Sequence, residues 1–255
     1  MVWEVEDYQD RTSLITKRVD WKMPKKVSLV GTKRVSHSSK LVYYNNPLPE
    51  ITPKQRKFPY HDSFKLITTS INIEFTYHEP LDPYQLLFLA DINEKKESLP
   101  SRFLVKFSQH YNGTIHKECG DLGIAPKLYG FESLAGGWHM VVMEYMTGYQ
   151  TLEEIRPYVH IRDKVKNIIE KLHSRGYVHG GDIRKVNVMA RREHSESLLH
   201  VVLIDWDWAG RDGMVNYPIS INPEIPRHPD AMGLRSIRKE HDVFMFEEMF
   251  SGLEV

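Results

Sequence analysis

The chain has 255 residues, with 34 Lys and Arg balancing 34 Asp and Glu. A zero net charge argues against a surface devoted to polyanions, and 41% hydrophobic with 27% charged residues is the composition of an ordinary globular protein with a buried core. One cysteine, Cys119, excludes an internal disulfide and a cysteine-rich zinc site. The length suits a single bilobed unit.

The charge is uneven along the chain. Residues 1–60 hold 12 Lys and Arg against 6 Asp and Glu, mixed with Pro, Ser and Asn and without sustained periodicity. We read them as a basic extension, partly disordered, whose sharper use is to bind an acidic partner. The first ten residues are acidic and lack the pattern of a secretory signal, and no apolar run approaches a spanning length. Cytoplasm or nucleus is the expected location.

Residues 63–75, SFKLITTSINIEF, alternate and are rich in β-branched side chains, as in a strand or hairpin arm. Two apolar runs, 84–92 and 102–107, flank a polar loop and suit adjacent antiparallel strands. A short helix is expected over 114–122, ended by Gly123. KLYGFE and WHMVVMEYM read as two further strands. The second half changes character. In 161–176, Ile161, Val165, Ile168, Ile169 and Leu172 fall on one helical face, and Gly176 supplies the stop. A polar hairpin loop, RREHSES, precedes the strand LLHVVLIDW. Residues 240–250 form a helix whose apolar residues spread around it, as in a buried helix. The fold class expected is α+β, with a small antiparallel sheet followed by a short, mainly helical part.

The chemistry concentrates at Asp182 and Asn187, an acid and an amide five residues apart on a loop between helix and strand. The acid can accept a hydroxyl proton, and the amide oxygen can bind a divalent cation. Arg184 between them offers a fork of donors to a phosphate. Asp205 ends the apolar strand VVLID, well placed for a hard cation such as Mg2+. Lys106 lies inside the apolar run FLVKF, where burial calls for an anionic mate such as a phosphate. None of these signals is specific alone; their order along the chain is.

On GYVHGGDIRKVNV (176–188) and LIDWDWAG (203–210), together with LVKF, HKECGDLGIAPKLYG and the tail NYPISINPEI followed by EHD, the chain resembles the protein-kinase-like superfamily. More specifically, it resembles a group of fungal kinase-like proteins carrying GYVHGDLRxxNI and LIDFDWAG, over about residues 84–250. The resemblance implies a bilobed kinase-like fold, with an N-lobe over 61–146 and a truncated C-lobe over 147–255. It implies Asp182 as the catalytic base, Arg184 near the γ-phosphate, and Asn187 and Asp205 as Mg2+ ligands. Lys106 would grip the nucleotide phosphates, and Glu144, Tyr145 and Met146 would form the hinge that reads adenine. Glu118 is the first candidate for the acid that pairs with Lys106, with Thr114 and His116 as rivals for that helix position. Asp242 would tie down the catalytic loop.

Three departures accompany the likeness. The segment before Lys106, INIEFTYHEPLDPYQ, contains no glycine to bring backbone amides against phosphates. An extra glycine precedes Asp182, which shifts His179 by one place and puts Gly181 where protein kinases carry an arginine. Asp205 is followed by Trp206-Asp207 rather than Phe-Gly, and Asp207 is either a second metal ligand or a turn former. The implied function is ATP- and Mg2+-dependent phosphoryl transfer to a hydroxyl, with protein Ser/Thr as the leading acceptor. The alternatives are a pseudokinase serving as a binding or scaffolding module, and a small-molecule kinase akin to aminoglycoside and choline kinases.

Overall fold

The computed structural model describes residues 58, 59, 61–82, 86–155, 161–192 and 199–251. The basic extension expected over 1–60 lies almost wholly outside them. Residues 63–255 make up one compact unit, which carries every element below.

Its first part is a six-stranded antiparallel sheet. The strands are β1 (Ser63–Lys65), β2 (Asn72–Asp82), β3 (Leu87–Ile92), β4 (Arg102–Ser108), β5 (Leu128–Ser133) and β6 (His139–Glu144), in the order β1-β2-β3-β4-β6-β5. The stretch 63–75 is therefore two strands rather than one arm. Ser70, at φ 58, turns the chain, and Ile71 O accepts from Leu66 N at 2.9 Å. Strand β2 runs on through Pro80, farther than the β-branched run suggested. There β1 no longer pairs with it, so an open side tolerates a residue without an N–H. Two register shifts, at Tyr77/Glu79 and Pro80/Asp82, bend the β2–β3 ribbon.

Alternation decides the two faces of β4. Phe103, Val105 and Phe107 enter the aromatic core of the sheet with Phe64, Phe75 and Tyr129. Leu104, Lys106 and Ser108 face the other way. Helix α1 (Gly113–Asp121) packs on this second side, its start capped by Asn112 Oδ1, which accepts from Ile115 N at 3.1 Å.

After β6 the chain forms two short sheets and two longer helices. Strands β7 (Gln150–Thr151), β9 (Val188–Arg192) and β10 (Leu199–Leu203) make one sheet; β8 (Tyr177–Val178) and β11 (Gly210–Arg211) make the other. Helix α2 (Ile161–Ser174) buries the five residues its periodicity assigns, and Gly176 beyond its end adopts φ 74. Helix α3 (Lys239–Phe250) buries one face, His241, Asp242, Met245, Phe246, Met249 and Phe250, while Val243 stays exposed. The expectation of an all-round buried helix is thus half right: a charged residue, Asp242, takes a core position that the apolar pattern assigns to no one. Ile115 and Cys119 of α1 join α2, α3, Val188 and Trp206 in a single core. Burial pushes the Cys119 thiol up to about 12, so it stays a packed, protonated side chain. Among the described residues no helix is long and apolar enough to cross a membrane.

Candidate active site

Three chain segments meet where the sheet faces the helical part. Strand β4 supplies Lys106. The loop from β8 to β9 supplies Asp182, Arg184 and Asn187. The turn after β10 supplies Asp205.

Backbone pairing brings the last two segments together. Leu203 is the register partner of Val188, and Ile204 N donates to Asn187 O at 2.9 Å, so Asp205 leaves the sheet beside Asn187. A 3-10 turn over Lys185–Asn187 then folds Asn187 back onto Asp182. Its amide nitrogen donates to Asp182 O at 2.9 Å and to Asp182 Oδ2 at 2.8 Å. The amide oxygen is the one atom of that side chain able to ligate a cation. Lys106 closes the cluster from above, with Nζ 2.6 Å from Asp205 Oδ1. The four residues singled out by type and order thus form two side-chain pairs, Lys106–Asp205 and Asp182–Asn187, on segments joined through Ile204 N and Asn187 O.

Asp242 holds the loop from below. Its carboxylate, fully buried, accepts from His179 N at 2.8 Å, Gly181 N at 2.7 Å and His173 Nε2 at 3.1 Å. The extra glycine before Asp182 is absorbed locally. Gly180 (φ 126) and Gly181 (φ 61) both take conformations open to glycine. A Cβ at Gly180 would sit 2.7 Å from Trp208 Cβ. His179 therefore keeps a core position despite its shift: it is 1% exposed, packs edge-on to Trp206 at 4.9 Å and donates from Nε2 to Ile204 O at 3.0 Å.

Asp182 is more crowded than its sequence context suggests. Arg184 spans both oxygens, Nε to Oδ1 at 2.9 Å and NH2 to Oδ2 at 3.0 Å. Arg227, 45 residues away, adds NH2 to Oδ1 at 2.7 Å and NH1 to Gly181 O. Burial pushes the carboxyl up, but the two guanidinium groups more than offset this and hold it below the usual carboxylate range. Arg227 lies over the Trp208 ring at 5.3 Å and is almost wholly buried. Nothing in the local sequence marks it. Only the path of the chain after β11 carries it to Asp182.

The expected partner of Lys106 is not Glu118. Glu118 accepts from the Tyr177 hydroxyl at 2.8 Å instead. Helix α1 turns Ile115, His116 and Cys119 inward, and Glu118, two places beyond His116, falls outside that arc. His116 occupies the inward position. Its Nε2 donates to Pro126 O at 2.8 Å, its Nδ1 accepts from Tyr111 Oη at 2.7 Å, and its ring stacks on Trp206 at 5.9 Å. Lys106 instead meets a second carboxylate, Asp207 Oδ1, at 2.7 Å. Burial pushes the ammonium down, yet the charges of Asp205 and Asp207 reverse this and leave its pKa above the ordinary lysine value.

The residues expected to form a hinge, Glu144 to Met146, connect β6 to the second part. Glu144 N donates to Lys127 O at 2.8 Å, and its carboxylate accepts from Lys127 N at 3.1 Å, which turns this side chain toward β5. Met146 is buried, and Tyr145 O accepts from Thr147 N at 2.8 Å. Beside Asp207 a cavity of about 680 Å³ opens, walled by Tyr111, Trp208 and Tyr217.

No protein-family model matches the chain, and no curated protein matches it. Among solved structures it is similar to the kinase PK-1 of Cydia pomonella granulovirus, with a TM-score of 0.51 at 15% identity over 70% of this chain and 69% of that one. Vaccinia related kinase 3 aligns with a TM-score of 0.48 at 15% identity, over 75% of this chain and 67% of that one. At such identity the likeness to PK-1 speaks for the fold alone. Sheet order, helix placement and that likeness together give residues 63–251 a bilobed, protein-kinase-like α+β fold.

Proposed function

We propose that the protein is an ATP- and Mg2+-dependent phosphotransferase that moves the γ-phosphoryl group onto a hydroxyl, with serine or threonine of a protein as acceptor. The observation that carries this reading is the 2.6 Å pair between Lys106 of β4 and Asp205 after β10, next to the bonded pair Asp182–Asn187. In this reading the N-lobe spans 61–146, the C-lobe 147–255, and the basic residues 1–60 form an extension for an acidic partner. The motif resemblance to fungal kinase-like proteins supports the same assignment.

Lys106 would meet the nucleotide phosphates, and the backbone of Glu144 to Met146 the adenine edge. Asp205 and Asn187 offer hard oxygen donors, and two carboxylates facing one ammonium leave net negative charge for a divalent cation. Bound there, Mg2+ would neutralise triphosphate charge as transfer proceeds. Asp182 is ionised by its arginine neighbours, so it orients the acceptor hydroxyl and takes up its proton late. Arg184, the more exposed of its two guanidinium partners, is free to swing toward the transferring group. A protein acceptor is favoured by the surface of the segment after β11. Met214, Ile219, Met232 and Leu234 are exposed on the same segment that brings Arg227 to Asp182.

A second reading, a nucleotide-binding module without turnover, is favoured by two observations. Both oxygens of Asp182 are already engaged, and the residues leading into β3 contain no glycine. The cavity beside Asp207 keeps a small-molecule acceptor in view.

Thermal unfolding with ATP, with and without Mg2+, tests the proposal. At a hundredfold excess over Kd, ATP with Mg2+ should stabilise by about 2.7 kcal/mol, and Asp205→Ala should remove the part that depends on Mg2+. No stabilisation would end the phosphotransferase reading. Stabilisation without transfer of labelled γ-phosphate to proteins or hydroxylated small molecules would favour the module.

A further inference from the structure

The side chain of Lys106 is 8% exposed, and a buried ammonium needs a fixed carboxylate. Asp205 reaches it, but in the phosphotransferase reading Asp205 also serves the cation. One carboxylate does both jobs poorly, because a divalent ion draws it away from the lysine. Asp207 is tied instead to the strand that carries the lysine. Its Oδ1 meets Lys106 at 2.7 Å and its Oδ2 accepts from Ser108 Oγ at 3.1 Å. Lys106 and Ser108 stand two residues apart on one face of β4, so Asp207 grips a single strand face at two successive positions.

Helix α1 offers no substitute. Its inward position holds His116, whose two nitrogens are committed to Pro126 and Tyr111, and Glu118 is bound to Tyr177. The turn that carries Asp207 is itself firmly set. Asp205 adopts φ 65, Trp206 Nε1 donates to Leu203 O at 3.0 Å, and the Trp206 ring is 1% exposed between His116 and His179.

We propose that Asp207 is the positioning residue of Lys106, holding the ammonium toward the nucleotide phosphates once Asp205 turns to the cation, in place of an acid from the helix. The proposal rests on the phosphotransferase reading. It makes the lysine depend on the turn after β10 rather than on the rotation of α1.

Equilibrium titration of the full chain with a fluorescent ATP analogue and Mg2+ tests this without knowledge of the acceptor. Asp207→Asn should weaken nucleotide binding roughly tenfold. Asp207→Glu should recover part of that loss, and Glu118→Gln should leave affinity within about twofold. A structural role and a positioning role separate in a double-mutant cycle. On a Lys106→Met background, Asp207→Asn should cost nothing further, and removing both charges together also protects against misfolding. Wild-type affinity in Asp207→Asn, an equal loss in Glu118→Gln, or an undiminished cost on the Lys106→Met background would each overturn the proposal. A wild-type chain that binds no nucleotide would fail differently, by overturning the phosphotransferase reading itself.

Discussion

At position 116 helix α1 presents an imidazole to the interior, and its surroundings fix its charge. Burial pushes the group down to about 4, with the Pro126 carbonyl opposing and the charges of Lys106 and His179 reinforcing the shift. An unfolded chain would titrate this histidine near 6.5. Between the two values only the unfolded state takes up the proton, so stability is lost as pH falls through that window. The contribution is about 3 kcal/mol at most. His241, also lowered by burial, acts in the same direction. Urea midpoints measured from pH 7 to pH 4.5 should therefore fall more steeply for wild type than for His116→Gln; parallel slopes would show that His116 is not held neutral. The same residue shows where sequence reading stops. Lys106 and Asp205 were legible because a lysine inside an apolar strand, or an acid at the end of one, is chemically out of keeping with its neighbours, whereas Asp182 and Asn187 stood out only through the order of residues along the chain and the motif resemblance. The partner of Lys106 was not legible. Choosing among Thr114, His116 and Glu118 requires the rotation of a nine-residue helix, and that is set by what α1 packs against.

At the scale of elements, α2 was the most legible, since a single stripe of five apolar residues has one way to be buried. The β1–β2 hairpin was not, because its turn relies on Ser70 at positive φ rather than on glycine or proline. The loop from β8 to β9 lies between these cases. Its glycine pair was visible, but its use depends on neighbours from distant segments: Trp208 abuts Gly180, while Tyr217 and His241 abut Gly181. A methyl group at Gly181 would clash with the Tyr217 hydroxyl at a backbone of φ 61. Gly181→Ala is accordingly expected to destabilise the protein by about 2 kcal/mol. Calorimetric melting measures this, and a variant as stable as wild type would mean that the loop has room to relax.

Across the whole molecule, the core that α1 shares with α2 and α3 is reinforced by directional bonds between the lobes: Lys106 and Ser108 to the 205–207 turn, Glu118 to Tyr177, and Leu203 N to Ile124 O at 2.9 Å. The segment 212–238 holds itself by hairpin-like bonds, Tyr217 N to Arg235 O and Ile237 N to Val215 O, and by a small core of Val178, Tyr217, Ala231 and Ile237. Arg227 ties it to the loop from β8 to β9 at Gly181 O and Asp182 Oδ1. Removing this tie should cost about 1.5–3 kcal/mol locally. In Arg227→Ala, hydrogen exchange is expected to rise across 215–237 while α2 and β4 remain protected; loss of protection in α2 as well would show that the segment does not open by itself.

Sequence alone determined the α+β class, the buried face of α2, and the positions of Lys106 and Asp205 as charges set inside or at the end of apolar strands. These follow from local periodicity and from the cost of burying a charge, both of which are properties of a short window of chain. Tertiary structure alone decided that Asp207 and not Glu118 meets Lys106, that Arg227 reaches Asp182, and that two glycines restore His179 to the core. Each of those depends on contacts between residues tens of positions apart, and no local pattern encodes which of several equally suitable side chains the folded chain will bring together.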